Sequence, residues 1–347
     1  MALPKPVTDL AYEFAETPQT GGTLQVADGV HWLRMPLPFA LSHINLWLLE
    51  DGDDWVIVDT GLHVDDSTAI WESTLRGLMG GRKVSRIFVT HMHPDHAGNA
   101  GWLQQKTGAE FLMSRQEYLF CRMLTADTGR AAPEEAISFY RAAGFAEEDL
   151  GRYQKVFGMF GKYIAPLPDS YSRLQHGESH RIGNRNWQVL VGSGHSPEHA
   201  CLFNHDLNVL ISGDQLLPTI SSNVGVWPTE PKANPLQDWL ASIDLLCACL
   251  PDDVLVLPAH GRPMRAAHER LAALREEHRD ALQQLHQHCR TPRRAVDVFK
   301  ALFGRDIRPS ELIMATGEAL AHLNWLMAKN LVSVEPDSSG VNWYRSN

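Results

Sequence analysis

The sequence lacks the features that mark several large classes of protein. Its five cysteines include no Cys-X-X-Cys pair, and their odd number favours reduced thiols over a disulfide framework. No Gly-X-Ser-X-Gly element is present, so no nucleophilic serine elbow is indicated. The first residues lack the apolar stretch of a signal peptide, and no later apolar run is long enough to cross a bilayer. We therefore expect a cytoplasmic protein that makes no contact with a membrane.

The length, hydrophobic content and net charge of the chain indicate how large a core it can bury and which partners it can attract. A chain of 347 residues with 44% hydrophobic residues can bury a large core and form one large domain with a small appendage. The formal net charge of −10 at pH 7 disfavours a general electrostatic attraction to nucleic acid. We therefore expect a small-molecule substrate.

The most informative segment follows a predicted buried strand at residues 84–89. It carries His91, His93, Asp95 and His96 within six residues. Imidazole nitrogens and carboxylate oxygens are donors that zinc, manganese and iron accept. In an extended loop the first two histidines point to one side, while a turn carries the aspartate and the third histidine towards a neighbouring position. The segment therefore predicts a site for two adjacent ions.

This His-X-His-X-Asp-His pattern after a hydrophobic strand resembles that of the metallo-β-lactamase superfamily. Three downstream segments resemble the other ligand-bearing elements of that family: residues 194–199 contain His195, a strand ends at Asp214, and the last strand leads to His260. The resemblance covers about residues 25–265. It implies an α/β protein with the family's αββα sandwich.

The resemblance also implies a ligand set for two divalent ions, with zinc as the first expectation and iron or manganese as alternatives. It assigns His91, His93 and His195 to one ion, Asp95, His96 and His260 to the other, and Asp214 to both. Paired ions bring the pKa of a bound water towards neutrality and supply a hydroxide. Asp95 and Asp214 are therefore the candidate catalytic residues. Asp59 and His199 are expected to support the metal loops by hydrogen bonds.

We predict an N-terminal arm at residues 1–22, a metallo-β-lactamase domain at 23–265, and a linker helix with a winged-helix-like domain at 266–347. Residues 114–165 are predicted to form a helical insertion with an aromatic stripe. That stripe is interpreted in two ways: as a cover over the site or a homodimer face, or as ordinary packing against the sheet.

The loop that follows Asp214 is apolar and leaves a strand end beside the predicted metals. Such loops commonly line substrate pockets, so Leu217 and Trp227 are candidates for the pocket wall, with burial in the core as the alternative for each. Glu198 stands where many relatives of the family have glycine. We expect its side chain to face solvent, with a hydrogen bond to a ligand as the alternative.

The C-terminal segment is predicted to contain a helix starting at Thr291, a helix at 311–330 capped by Ser310, and a hairpin. This arrangement resembles the C-terminal unit of β-lactamase-like-2 hydrolases, which include an endoribonuclease. The charges of the unit nearly balance, and helix 311–330 contains no basic stripe, which favours packing or pocket closure over nucleic-acid binding.

Three functions are therefore weighed. The first is a binuclear metallohydrolase of an acyl thioester or a lactone. The second is a metal-dependent endoribonuclease that uses the C-terminal unit as an RNA platform. The third is an oxygenase with a single iron, similar to the persulfide dioxygenases of the superfamily.

Overall fold

The computed structural model describes residues 10, 12–38 and 41–347, which form two large β-sheets, a C-terminal hairpin and surrounding helices. The helices, in chain order, are α1 Asp65–Arg76, α2 Pro94–Ala97, α3 Ala100–Thr107, α4 Arg115–Ala126, α5 Glu134–Ala142, α6 Glu147–Val156, α7 Pro235–Cys249, α8 Ala267–His288, α9 Phe299–Phe303 and α10 Leu312–Ala328. No helix in this described part is long and apolar enough to span a membrane.

The predicted arm at residues 1–22 is only partly described, because residues 1–9 and 11 lie outside the described residues. Tyr12 forms an isolated antiparallel bridge with Met264. The Glu13 carboxylate accepts a hydrogen bond of 2.8 Å from Arg265. This part of the chain therefore lies against the segment that follows the second sheet.

The first sheet has seven strands in sequential order. They are β1 Thr23–Ala27, β2 Val30–Pro36, β3 His43–Asp51, β4 Asp54–Val58, β5 Val84–Phe88, β6 Glu110–Ser114 and β7 Ser172–Leu174. The strands β1 to β4 pair antiparallel, and β4 to β7 pair parallel. Asp51 pairs with Asp54 at the β3–β4 turn, so these two strands form a hairpin.

The second sheet has five strands in the order β12-β11-β10-β9-β8. They are β8 Ser179–Ile182, β9 Arg185–Gly192, β10 His199–Asn204, β11 Val209–Gly213 and β12 Leu255–Pro258. Neighbouring strands pair antiparallel except β11 and β12, which pair parallel because α7 carries the chain back between them. The carboxyl ends of β11 and β12 therefore lie side by side.

Side chains of the strands alternate between two apolar layers, as a period of two residues requires. On β3, Trp47 and Leu49 pack in the layer between the two sheets, whereas Leu46 and Leu48 pack under the helices outside. Helices α1 and α3 cover the first sheet, and α7 and α8 cover the second. This confirms the predicted αββα sandwich.

The helical insertion packs within the molecule in two parts. Tyr118 and Cys121 of α4 belong to the core under the first sheet. Tyr140 and Tyr153, from α5 and α6, form a separate cluster that packs against Leu312 of the C-terminal unit. The buried aromatic stripe therefore bridges to the C-terminal unit, and the prediction that it packs on the sheet is correct only for α4.

The C-terminal unit consists of α9, α10 and the hairpin of β13 Val332–Pro336 with β14 Asn342–Ser346. Two predicted helix starts are wrong. Arg293 is extended because its backbone pairs with Tyr344, so the helix predicted from Thr291 begins only with a 3-10 turn at Ala295–Val298. Ser310 lies within another 3-10 turn and does not cap α10. The comparison with a winged helix stays a prediction.

Candidate metal centre

The segment after β5 is held by one buried carboxylate at the end of β4. Asp59 has a left-handed backbone conformation (φ 61°) that turns its side chain towards this segment. One of its oxygens accepts from the Thr90 N–H at 2.8 Å, and the other accepts from Thr90 Oγ1 at 2.8 Å and from His96 Nδ1 at 2.7 Å. Asp59 therefore holds both Thr90 and His96, one of the predicted ligands, by hydrogen bonds.

The remaining predicted ligands follow strands of the second sheet. His195 comes three residues after β9, Asp214 directly after β11, and His260 two residues after β12. Because these strand ends meet at one edge, residues far apart in the chain converge there. The structure brings all seven predicted ligands into two neighbouring groups: His91, His93, His195 and Asp214 form the first ligand group, and Asp95, His96 and His260 form the second. Within each group one donor atom of each residue lies within 4.8 Å of the others.

Hydrogen bonds leave one nitrogen of each of three ligand histidines available for a metal. His195 Nδ1 donates to the carbonyl of Asn223 at 2.8 Å, and His260 Nδ1 donates to that of His43 at 2.9 Å. His96 Nδ1 donates to the Asp59 carboxylate. In all three the Nε2 lone pair consequently points into the centre. Among the described residues, His96 Nε2, His195 Nε2 and Asp214 Oδ1 are buried without a hydrogen-bond partner.

These buried atoms without hydrogen-bond partners are suited to coordinate divalent metal ions. Ligand atoms about 2.0–2.2 Å from a tetrahedral ion lie about 3.3–3.6 Å from one another. His260 Nε2 lies 3.3 Å from Asp95 Oδ2, and His195 Nε2 lies 3.4 Å from Asp214 Oδ2. A buried polar atom without a partner is costly, and a bound cation would satisfy several of them at once. The seven residues are therefore suited to hold metal.

The electrostatics of the centre favour positive charge. Burial lowers the pKa of His91 well below its ordinary value and that of His93 to about 3, so both are neutral donors. Burial acts to raise the pKa of Asp95, but the neighbouring histidines lower it to about 2. Burial opposes the charged form of His96, yet the surrounding carboxylates raise its pKa well above the ordinary value. A metal ion would supply this positive charge in place of a proton.

His199 lies beside the predicted ligands, but its Nε2 atom is hydrogen-bonded to the backbone. Its Nε2 accepts a hydrogen bond of 3.0 Å from the Asp214 N–H, and its ring stacks on that of His91 at 4.7 Å between centroids. A Cβ atom on Gly213 would lie 2.6 Å from the ring, so glycine is required there. This geometry agrees with the predicted support of the loop.

Glu198 does not simply face solvent as expected. Its carboxylate accepts a hydrogen bond of 2.8 Å from the Gln116 N–H in the first turn of α4, and its own backbone carbonyl accepts one of 2.7 Å from Ser114 Oγ. The expectation fails because the partners are more than 80 residues away in the chain. Glu198 therefore ties the His195 segment to the insertion.

The C-terminal unit reaches the centre through a residue that the sequence did not single out. Glu318 of α10 is 6% exposed, and its carboxylate accepts a hydrogen bond of 2.9 Å from the Asn223 side chain. The Asn223 carbonyl in turn accepts from His195 Nδ1. Gly317 lets α10 approach the loop closely, because a Cβ atom there would lie only 3.2 Å from the Val226 carbonyl oxygen, and the Gly317 carbonyl accepts from the Val226 N–H at 3.0 Å. The helix thus supports the loop that orients a ligand.

The two pocket candidates occupy different environments. Leu217 is 2% exposed, and its carbonyl accepts a hydrogen bond of 2.8 Å from the buried Arg270 of α8. Trp227 is half-buried in the same loop. The assignment of either side chain to a pocket wall stays a prediction.

The sandwich fold brings together histidines and aspartates that could hold metal ions, an arrangement typical of metal-dependent hydrolases. The chain belongs to the metallo-β-lactamase superfamily: the sequence profile of that superfamily matches residues 41–285. A second profile, for the metallo-β-lactamase-like C-terminal domain, matches residues 282–347.

Two solved structures are similar to the chain over nearly all its length. A β-lactamase domain protein from Burkholderia ambifaria is 36% identical with a TM-score of 0.90, and the match covers 100% of both chains. A metallo-β-lactamase family protein from Thermus thermophilus is 26% identical with a TM-score of 0.77, covering 93% of this chain and 100% of that one. The C-terminal unit is therefore part of a shared architecture.

Curated relatives are more distant. The hydroxyacylglutathione hydrolase GloC of Haemophilus influenzae is 27% identical over 177 residues, which are 50% of this chain and 68% of that protein. The human acyl-coenzyme A thioesterase MBLAC2 is 22% identical over 197 residues, which are 54% of this chain and 64% of that protein. The aligned region thus spans about two thirds of each of these relatives.

Proposed function

We propose that this protein is a binuclear metallohydrolase that cleaves a small acyl thioester or a lactone. The observation that carries the proposal is the position of Asp214 between the two ligand groups. Its Oδ2 lies 3.4 Å from His195 Nε2, and its Oδ1 lies 3.5 Å from the Nε2 atoms of both His96 and His260. A carboxylate with one oxygen facing each group is placed to bridge two cations.

The first ligand group would hold one ion and the second group the other, with Asp214 shared. When bound, such a pair supplies a water that ionises near neutral pH and a Lewis acid that polarises the substrate carbonyl. The protein orients the lone pairs of His96, His195 and His260 through their Nδ1 hydrogen bonds. These bonds exist before substrate arrives, so no reorganisation is needed during the reaction.

Asp95 is the candidate for accepting and releasing a proton during the reaction. Its Oδ2 lies 3.3 Å from His260 Nε2, and the side chain is 19% exposed, so the carboxylate is reachable from solvent. Because its pKa is lowered to about 2, Asp95 is ionised at neutral pH and can accept a hydrogen bond from a reacting water. The same low pKa lets it release a proton readily.

Two observations support an ester-type substrate. The names of the curated relatives include a thioesterase and a hydroxyacylglutathione hydrolase, both of which act on thioester bonds. The net charge of −10 opposes the electrostatic attraction on which most nucleic-acid binding depends. We therefore place an acyl thioester or a lactone ahead of RNA.

The test combines metal analysis with a substrate panel. We would measure zinc, iron and manganese per chain, then hydrolysis of acyl thioesters, lactones and single-stranded RNA, for wild type and Asp214→Ala. Asp53→Ala serves as the control, because Asp53 is exposed in the β3–β4 turn. About two ions per chain and thioester or lactone turnover, both lost only in Asp214→Ala, are expected. Cleavage of RNA alone, or one iron per chain with oxygen consumption, would contradict the proposal.

A further inference from the structure

Glu117 is a buried carboxylate that joins the two backbone segments of the first ligand group. It lies in the first turn of α4 and is 0% exposed. Its Oε2 accepts a hydrogen bond of 2.9 Å from the Met92 N–H, and its Oε1 accepts one of 2.8 Å from the Glu198 N–H. Each oxygen therefore holds a different segment.

The two segments carry every histidine of the first ligand group. Met92 lies between His91 and His93, and Glu198 lies three residues after His195. The segments come from different sheets of the sandwich, since one follows β5 and the other follows β9. A single carboxylate thus sets the distance between two parts of the fold that must meet at one ion.

The sequence around Glu117 indicates a different use for these side chains. Ser114-Arg115-Gln116-Glu117 has the Ser-X-X-Glu pattern of a capping box, in which the two side chains bond the backbone of their own helix. In the structure Ser114 makes no such cap bond. Its hydroxyl donates instead to the Glu198 carbonyl at 2.7 Å. The side chains of Ser114 and Glu117 therefore bond the two backbone segments that carry the histidines of the first ligand group, and not the end of their own helix.

Glu198 completes the arrangement from the opposite side. Its carboxylate accepts from the Gln116 N–H at 2.8 Å, which satisfies a free donor of the first turn of α4. The start of α4 and the His195 segment therefore cap each other through three hydrogen bonds. A helix that only covered the sheet would need none of these contacts.

We propose that Glu117 is a positioning residue that fixes His91 and His93 relative to His195 and thereby sets the metal affinity of the first ligand group. The inference rests on the proposed function, because it requires that this group holds an ion. It also assigns the start of the helical insertion to the metal centre. Supporting residues that orient metal ligands typically contribute about 10–100-fold to affinity.

Glu117→Gln is the decisive variant because it preserves the size of the side chain. Glutamine has one accepting oxygen, so its amide group would meet a second backbone N–H, donor against donor. One of the two segments must then shift. Tyr118→Phe, on the same helix, is the matched control. It removes the hydrogen bonds that the Tyr118 hydroxyl donates to the Pro168 carbonyl at 2.8 Å and accepts from Arg122 at 2.9 Å, without touching either segment.

The measurements are metal affinity by chelator competition, the visible spectrum of the cobalt-substituted protein, and thermal unfolding of the metal-free protein. We expect Glu117→Gln to bind one of two ions about 10–100-fold more weakly, with a changed cobalt spectrum, and Tyr118→Phe to keep both. Ser114→Ala, which removes one of the supporting bonds, should shift affinity in the same direction by less.

The outcomes separate the inference from the function on which it rests. Equal affinities in Glu117→Gln and wild type, or equal losses in Glu117→Gln and Tyr118→Phe, would overturn the inference alone. If Glu117→Gln does not fold, an unchanged affinity in Ser114→Ala would overturn it. Wild-type protein that binds no divalent ion would overturn both the proposed function and this inference.

Discussion

The two ligand groups of the metal centre are supported by different parts of the molecule. In the second group, His96 is bonded to the Asp59 carboxylate and His260 to the carbonyl of His43, and both partners lie on strands or strand ends of the first sheet. In the first group, His195 is bonded to the carbonyl of Asn223, whose side chain is held by Glu318 of α10. The second group therefore belongs to the core of the sandwich, and the first depends on peripheral helices.

This difference predicts that the two groups respond to different substitutions. A substitution in the core of the first sheet should weaken metal binding by the second group. A substitution in α10 should weaken metal binding by the first group and leave that of the second unchanged. Metal stoichiometry resolves the two cases, because each group would hold one ion.

The largest effect is expected from Asp59→Asn. The asparagine amide would face the His96 Nδ1–H as a second donor, so the ring would move its proton to Nε2 and lose the lone pair that faces the centre. We expect the second group to bind its ion about 10–100-fold more weakly, with a smaller loss in the first group because Asp59 also holds Thr90 beside His91. Measurement of metal per chain after dialysis against a weak chelator checks this.

Asp51→Asn is the control for Asp59→Asn. Asp51 also accepts several hydrogen bonds, from Ser85, Arg86 and the Gly183 N–H, but it lies at the opposite end of β3 from the metal segment. Full metal content in Asp59→Asn, or the same loss in Asp51→Asn, would contradict the role of the Asp59 carboxylate.

A smaller effect is expected in the first group from Glu318→Ala. The variant leaves the Asn223 amide without its acceptor in a buried site, so the carbonyl that bonds His195 is less well fixed. We expect about tenfold weaker binding of one ion, read by the same dialysis measurement. Glu318→Gln keeps an oxygen acceptor and should behave like wild type. Loss of the ion from the second group instead would contradict the claim that α10 supports the first group.

The last prediction concerns the free energy of unfolding at acid pH, not metal affinity, and involves the contact between α8 and α10. His278 Nδ1 and His322 Nε2 lie 3.2 Å apart, and burial lowers the pKa of His278 to about 3 and that of His322 to about 4. Below the unfolded pKa of about 6.5, the unfolded chain gains protons that the folded chain does not. The free energy of unfolding should therefore fall by at most about 1.4 kcal/mol per pH unit for each histidine until the folded values are reached.

Denaturant unfolding of metal-free protein at pH 7, 6 and 5 measures this effect. His278→Gln removes one of the two titrating groups, so its stability should fall less steeply with acidification than that of wild type. Contributions from the metal centre are common to both proteins and cancel in the difference. Parallel stability curves would show that the pair does not resist protonation in the folded state.

The candidate ligands could be predicted from the sequence because each lies in a short segment that resembles a motif of the metallo-β-lactamase superfamily. His91 to His96 occupy six consecutive positions after a buried strand, and Asp214 and His260 each end a β-branched or leucine-rich strand. The two-sheet fold was implied by the same resemblance, because the apolar run of a strand such as β3, with six consecutive buried residues, predicts a strand but not its place in a sheet. Local patterns depend on neighbouring residues, which a sequence displays directly.

The chain by itself therefore indicated the family fold and the identity of the candidate donors. Only the tertiary structure decided what holds those donors in place: the bonds of Glu117 to Met92 and Glu198, the reach of Glu318 to Asn223, and the packing of the insertion on the C-terminal unit. The three hydrogen bonds join residues 25 to 95 positions apart, and the packing contact joins residues still further apart. A hydrogen bond across such a separation depends on how the layers dock, and no local pattern encodes that docking.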